Sequence, residues 1–136
     1  MNKKICIILS NYYPNISKNL LIGATNIIKN NKIKKIKIIK TSGVFEIPVL
    51  VSKNIKYFDA FIVLGCLIKG KTPHFDFISS STINGIMTLS INYKKPIGNG
   101  ILTCLNKKQA QDRSDPKLKD KGGEAAKAVI SILKLS

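Results

Sequence analysis

Short apolar runs alternate with longer amphipathic segments along the whole chain. The strand-like runs are residues 5–9, 33–39, 61–64 and 97–105, the last broken by Gly98-Asn99-Gly100. Segments with helical spacing of apolar residues cover 16–30, 48–56, 74–92 and 124–135, with a short extra helix over 107–113. This alternation predicts an α/β fold with helices on both faces of a four-stranded parallel sheet. The length of 136 residues predicts one domain, residues 1–136.

The net charge of +16 raises the question of a polyanion partner. Of the 23 basic residues, only Arg113 is an arginine. Lysine, isoleucine and asparagine are all abundant, a bias typical of a genome rich in A and T. The lysines are spread along the chain without the interleaved aromatics of single-strand binders. We therefore expect a solvated lysine surface and no nucleic-acid partner, with a polyanion-binding surface as the alternative.

The three cysteines, Cys6, Cys66 and Cys104, lie in or at the end of apolar runs. They lack the paired spacing of metal ligands, so we expect buried, reduced thiols and no metal. A nucleophilic Cys66 is the alternative. No apolar stretch approaches the ~18 residues of a membrane helix, and the apolar run at residues 5–9 is too short for a signal peptide. We expect a cytoplasmic protein with no membrane partner.

The loop after the third apolar run holds the only histidine, His74, and two enzyme classes compete for it. Residues 65–72 spell Gly-x-x-x-x-Gly-Lys-Thr, the phosphate-binding pattern of nucleotide hydrolases. However, Leu67 and Ile68 are bulky aliphatics that continue a strand, and no second strand ends in an aspartate that could hold a metal. The sequence therefore favours a different small-molecule site at this position.

Loops at the carboxyl ends of parallel strands meet at one edge of a sheet, where ligands bind in open α/β folds. Here those loops are residues 10–15, 43–48, 66–74 and the segment from 99 onward. Their convergence predicts a small-molecule site.

Four blocks in these loops and beyond resemble the 6,7-dimethyl-8-ribityllumazine synthase family in order and spacing. They are residues 43–48 (GVFEIP), 64–76 (LGCLIKGKTPHFD), 99–103 (NGILT) followed by Arg113, and 121–124 (KGGE). The resemblance implies a flavodoxin-like three-layer sandwich. It also implies an enzyme that condenses 5-amino-6-(D-ribitylamino)uracil with 3,4-dihydroxy-2-butanone 4-phosphate, without a cofactor. The implied assembly is a pentamer or a multiple of it, with sites between subunits. A non-catalytic shell or scaffold protein on the same fold is the alternative.

By this resemblance His74 shuttles protons, since an imidazole exchanges protons near neutral pH. Tyr12 stacks on the pyrimidinedione ring, and Glu46 accepts hydrogen bonds from the ribityl hydroxyls. Each of the three also has a structural alternative: a helix-start histidine, a loop aromatic, and a carboxylate favoured by a helix N-terminus.

The remaining contacts implied by the resemblance fall into two groups. Val44, Phe45, Leu67, Ile68 and Asn99 shape the pocket or bond the ring. Lys71 and Thr72 bind phosphate at a helix start, Arg113 adds paired donors, and Lys121 reaches a ligand in the adjacent subunit.

Overall fold

A four-stranded parallel sheet organises the molecule. The structure, a computed structural model, describes residues 2–135. The elements are β1 (Lys4–Ser10), α1 (Pro14–Asn30), β2 (Lys35–Thr41), α2 (Ile47–Asn54), β3 (Ala60–Ile68), α3 (His74–Tyr93), β4 (Ile97–Cys104), α4 (Lys107–Ser114) and α5 (Lys121–Leu135), with a 3-10 turn (Val44–Glu46) before α2. All pairings are parallel, in the order β2-β1-β3-β4. The predicted α/β fold is confirmed.

The central strands β1 and β3 are buried on both faces, as expected for strands that read as unbroken apolar runs. In β1, Ile5, Ile7 and Leu9 pack toward α1 and α5, whereas Cys6 and Ile8 pack toward α2 and α3. This alternation of side chains gives each face its own core. The result is the three-layer, flavodoxin-like sandwich.

The edge strand β2 begins two residues later than predicted. Ile33 is buried against α1 instead of joining the sheet, because the chain turns through Lys32 with φ of 61° directly after that helix. Lys35 and Lys37 are exposed on this edge strand, and charged side chains on an edge strand oppose pairing with other chains.

The predicted break in β4 is wrong. Gly98, Asn99 and Gly100 lie within the strand, and none of the glycines in residues 2–135 has a positive φ. A Cβ atom at Gly98 would overlap the backbone carbonyl of Ala125, and one at Gly100 would approach the side chain of Leu64. These glycines therefore allow close packing rather than a turn.

Helix α5 begins three residues earlier than predicted, at Lys121, so that Gly122 and Gly123 are helical. A Cβ atom at Gly122 would overlap the backbone of Leu20, so the glycine lets α5 approach α1. The carboxylate of Asp120 accepts a hydrogen bond from the N–H of Gly123 at 3.1 Å and so caps the helix.

No helix in residues 2–135 has both the length and the apolar character needed to cross a membrane.

We predict that Gly98→Ala lowers the free energy of unfolding by about 1–3 kcal/mol, because the added methyl group overpacks the contact between β4 and α5. Denaturant unfolding followed by circular dichroism measures the change. Gly85→Ala is the matched control: its Cβ would meet only Pro48, at 3.4 Å, and alanine favours the interior of α3 by about 0.5–1 kcal/mol. Equal stability of Gly98→Ala and the wild type would show that the contact is loose.

Candidate active site

A cleft of about 300 Å³ opens at the carboxyl end of the sheet. The loop after β1 supplies Tyr12 and Tyr13, the loop after β2 supplies residues 43–45, and the end of β3 supplies residues 66–68. His74 and Ile78 complete it from α3. The cleft lies where the chain, having moved from β1 outward to β2, crosses back to β3, the position at which open α/β sheets bind ligands.

Backbone and hydroxyl contacts fix the loop that carries the two tyrosines. The N–H of Asn11 donates to the carbonyl of Thr41 at 2.8 Å, and the Ser17 hydroxyl donates to the carbonyl of Ser10 at 2.6 Å. Gly65 permits the neighbouring approach of β3, since a Cβ there would lie 3.0 Å from Val44 and 3.1 Å from Ser10. The ends of β1, β2 and β3 are thereby held close together around the cleft.

Two exposed aromatic side chains line the cleft. Tyr12 is 69% exposed and meets the ring of Tyr13 edge-on, with centroids 4.9 Å apart. Phe45 is 59% exposed. Large aromatic rings that remain accessible in a cleft suit stacking against a flat ring.

His74 is the first residue of α3, and its side chain is exposed at the cleft. Its backbone N–H lies 3.4 Å from the hydroxyl oxygen of Thr72, and Lys71 and Thr72 are exposed just before the helix. These two residues do not line the cleft itself. A helix N-terminus with unpaired N–H groups and a nearby lysine can bind an anion.

The same segment does not form a nucleotide-hydrolase loop. That pattern requires a glycine-rich loop from its first glycine to the lysine. Here Gly65 lies inside β3, which continues to Ile68, so that half of the pattern is strand. The prediction that Leu67 and Ile68 continue the strand is confirmed.

Glu46 ends the 3-10 turn and faces a second, more open depression of about 520 Å³. Phe45 lines both spaces and so stands between them. The carboxylate of Glu46 is exposed. Although its sequence neighbours are apolar, its charge therefore carries no burial cost.

Asn99, Arg113 and Lys121 lie outside the cleft of their own chain. Asn99 is exposed in the middle of β4, opposite Val63, and its side-chain oxygen accepts from the N–H of Ile101 at 3.0 Å. Half-buried Arg113 contacts the end of β4 from α4, and Lys121 pairs with Glu124 at 2.9 Å on α5. Of the four loops predicted to converge, the one after β4 does not line this cleft.

The described residues, 2–135, contain no group of three or more histidine, cysteine, aspartate or glutamate side chains placed to hold a metal.

Comparison with known proteins identifies the chain's relatives. The family model described as 6,7-dimethyl-8-ribityllumazine synthase matches residues 2–136. This chain belongs to that family. Its relatives include proteins with this name from Novosphingobium aromaticivorans (37% identity, 97% of this chain and 95% of the relative) and Campylobacter jejuni (37%, 99% and 90%). A third, from Cutibacterium acnes, is 36% identical over 96% of this chain and 80% of its own length.

In this member of the lumazine synthase family, six of the residues predicted for substrate contact or catalysis line the cleft. They are Tyr12, Val44, Phe45, Leu67, Ile68 and His74. Sequence reasoning missed Tyr13 and Ile78 as cleft residues. Tyr13 follows Tyr12 directly, and Ile78 lies one helical turn after His74. Their spacing from these two predicted residues could have indicated that they also line the cleft. Burial is the main cause of a raised pKa for the Tyr13 phenol.

All three cysteines are free and buried, as predicted. Burial, aided by Cys104, raises the pKa of Cys66 to about 12, and burial raises that of Cys6 to about 11. A thiol must ionise to act as a nucleophile, so these values argue against the nucleophilic alternative for Cys66.

We predict that iodoacetamide labels Cys6 and Cys66 in the folded protein at least ~100-fold more slowly at pH 8 than in urea, where thiols ionise near pH 8.5. Because folding raises both pKa values, the native rate should keep rising above pH 9 while the unfolded rate levels off. Mass spectrometry of tryptic peptides measures each site. Rapid native labelling of Cys66 at pH 8 would restore the nucleophile hypothesis.

Proposed function

We propose that the chain condenses 5-amino-6-(D-ribitylamino)uracil with 3,4-dihydroxy-2-butanone 4-phosphate to form 6,7-dimethyl-8-ribityllumazine, the precursor of riboflavin. The observation that carries the proposal is the cleft itself: in a chain of this family, exposed Tyr12 and Phe45 face the same space as His74 at a helix start. These groups supply a platform for a flat ring and a proton carrier beside an anion-binding position.

The pyrimidinedione ring stacks on Tyr12, while Val44 and Phe45 shape the pocket. The backbone of Leu67 and Ile68, at the end of β3, bonds the edge of the ring. The cleft of about 300 Å³ suits the ring, and the adjoining depression beyond Phe45 leaves room for the ribityl chain. Exposed Glu46 in that depression accepts hydrogen bonds from the ribityl hydroxyls.

The phosphate of the second substrate binds at the start of α3. The N–H groups of the first helical turn and the hydroxyl of Thr72 bond its oxygens, and Lys71 balances its charge. Arg113 adds planar paired donors that a lysine cannot imitate. This placement sets the carbonyl carbon of the substrate beside the amine of the pyrimidine.

His74 moves protons through the steps that follow. It assists attack of the pyrimidine 5-amino group on the carbonyl, which forms an imine with loss of water. It then takes a carbon-bound proton as inorganic phosphate leaves. Tautomerisation exposes a carbonyl, the ribitylamino nitrogen closes the ring on it, and a second water departs. No cofactor is needed, since no step is an oxidation or reduction.

The assembly is a pentamer or a multiple of it, with sites shared between neighbours. Asn99, Arg113 and Lys121 lie outside the cleft of their own chain, and in a ring of subunits they are available to an adjacent one. Large apolar side chains on α3 are also uncovered, with Phe77, Met87 and Ile91 at 67%, 57% and 65% exposed. Self-association would bury this surface.

The setting we propose is the cytoplasm, where both small-molecule substrates are expected. Three free, buried cysteines are compatible with a reducing compartment.

Mixing the two substrates with purified protein tests the function. We expect lumazine absorbance and inorganic phosphate to rise in equal amounts, above the rate without protein. Well-folded protein that gives no turnover would favour the alternative, a non-catalytic shell or scaffold.

We predict that His74→Ala slows turnover about 10- to 1000-fold, the range of general acid–base catalysis, with little change in pyrimidine binding. Stopped-flow absorbance measures the rate, and fluorescence titration measures binding. Added imidazole should partly restore the rate of this variant. A rate equal to that of the wild type would remove His74 from the mechanism.

Mass in solution tests the assembly. We predict five subunits, or a multiple of five, by light scattering and native mass spectrometry, because the cleft lacks Arg113 and Lys121 of its own chain. An active monomer would contradict the shared site.

A further inference from the structure

We infer that Cys104 is a positioning residue for Arg113: its sulfur and the carbonyl oxygen of Thr103 orient the guanidinium that binds the substrate phosphate. The inference rests on the proposed function, and it concerns a residue with no role in the reaction described above. Nη1 of Arg113 lies 3.7 Å from Sγ of Cys104 and 3.4 Å from the oxygen of Thr103.

Neither contact alone fixes the guanidinium. A distance of 3.4 Å is long for an N–H···O bond, whereas 3.7 Å is ordinary for sulfur, whose radius is larger. Two acceptors on one nitrogen together define the orientation of a planar group. Arginine carries five N–H donors, and the structure gives those on Nε and Nη2 no partner within residues 2–135. Those donors stay available for an anion.

The segment between the two residues is held by side-chain bonds of its own. Asn106 caps α4 by accepting from the N–H of Gln109 at 2.9 Å, and the Gln109 side chain accepts from the N–H of Leu105 at 2.8 Å. This reciprocal capping sets the direction in which α4 leaves β4. Arg113, near the end of α4, therefore lies over the last residues of β4.

Cys104 is fully buried in the same core cluster as Cys66, which lines the cleft. Cys104 contacts the arginine and does not itself line the cleft. Close packing in this cluster limits the rotation of Cys104 and keeps its sulfur beside the guanidinium.

The test compares Cys104→Val, which has similar volume but no acceptor, with Cys104→Ser, which keeps one. We expect Cys104→Val to raise the KM for the butanone phosphate and the Kd for inorganic phosphate about 3- to 10-fold, the effect of one net hydrogen bond. The kcat and the KM for the pyrimidine should stay within about 2-fold. Cys104→Ser should restore phosphate affinity to within about 2-fold of the wild type.

Cys6→Val is the matched control, because Cys6 is equally buried but packs on the opposite face of the sheet. It should leave all four constants unchanged. Should Cys104→Val fail to fold, as judged by circular dichroism, Cys104→Ala removes the same acceptor. Arg113→Lys should weaken phosphate binding at least as much as Cys104→Val.

Unchanged phosphate affinity in Cys104→Val or in Arg113→Lys would overturn the inference. So would serine being as damaging as valine, or equal damage to both substrates, since either result indicates packing alone. Titration of inorganic phosphate by calorimetry does not depend on turnover. A wild type that binds phosphate through Cys104 and Arg113 but makes no lumazine would therefore refute the proposed function and leave this inference standing.

Discussion

Parallel pairing of β1 with β3 is the constraint from which the site follows. Because Ile5 pairs with Ala60 and Leu9 with Leu64, β1 ends at Ser10 while β3 continues to Ile68, and the last residues of β3 line the cleft beside the loop after β1. The loop after β1 then faces the start of α3 across a space that no connecting helix fills, since α1 leaves on one face and α3 on the other. A shift in this register would separate Tyr12 from His74.

Small residues determine how closely the strands, helices and loops around the site approach one another. Gly65 lets β3 approach the loop after β2, and Gly98 lets α5 approach β4. A methyl group at either position would push an element outward by a few tenths of an ångström or more. Such shifts are large in a site whose groups must meet a substrate within hydrogen-bonding distance. The packing of the core and the precision of the cleft therefore depend on the same positions.

The sequence predicted the layers of the fold because burial on both faces produces unbroken apolar runs, and helices keep their own period. The sequence-based prediction failed where a contact between residues far apart in the sequence determines the local structure. Gly98-Asn99-Gly100 has the composition of a turn, yet α5, some 25 residues later in the sequence, requires a small residue within a strand. Ile33 matches the alternation of β2, but a place under α1 was available to it. Asn99 and Arg113 carried no local signal that they would lie outside the cleft of their own chain, whereas the family resemblance already implied that Lys121 reaches a ligand in the adjacent subunit.

The ion pair between Lys121 and Glu124 leaves the lysine ammonium accessible to other anions at the start of α5. The two side chains are 42% and 56% exposed, and a surface pair of this kind contributes only about 0–1 kcal/mol. Lys121 can therefore exchange its carboxylate for an incoming anion at little cost.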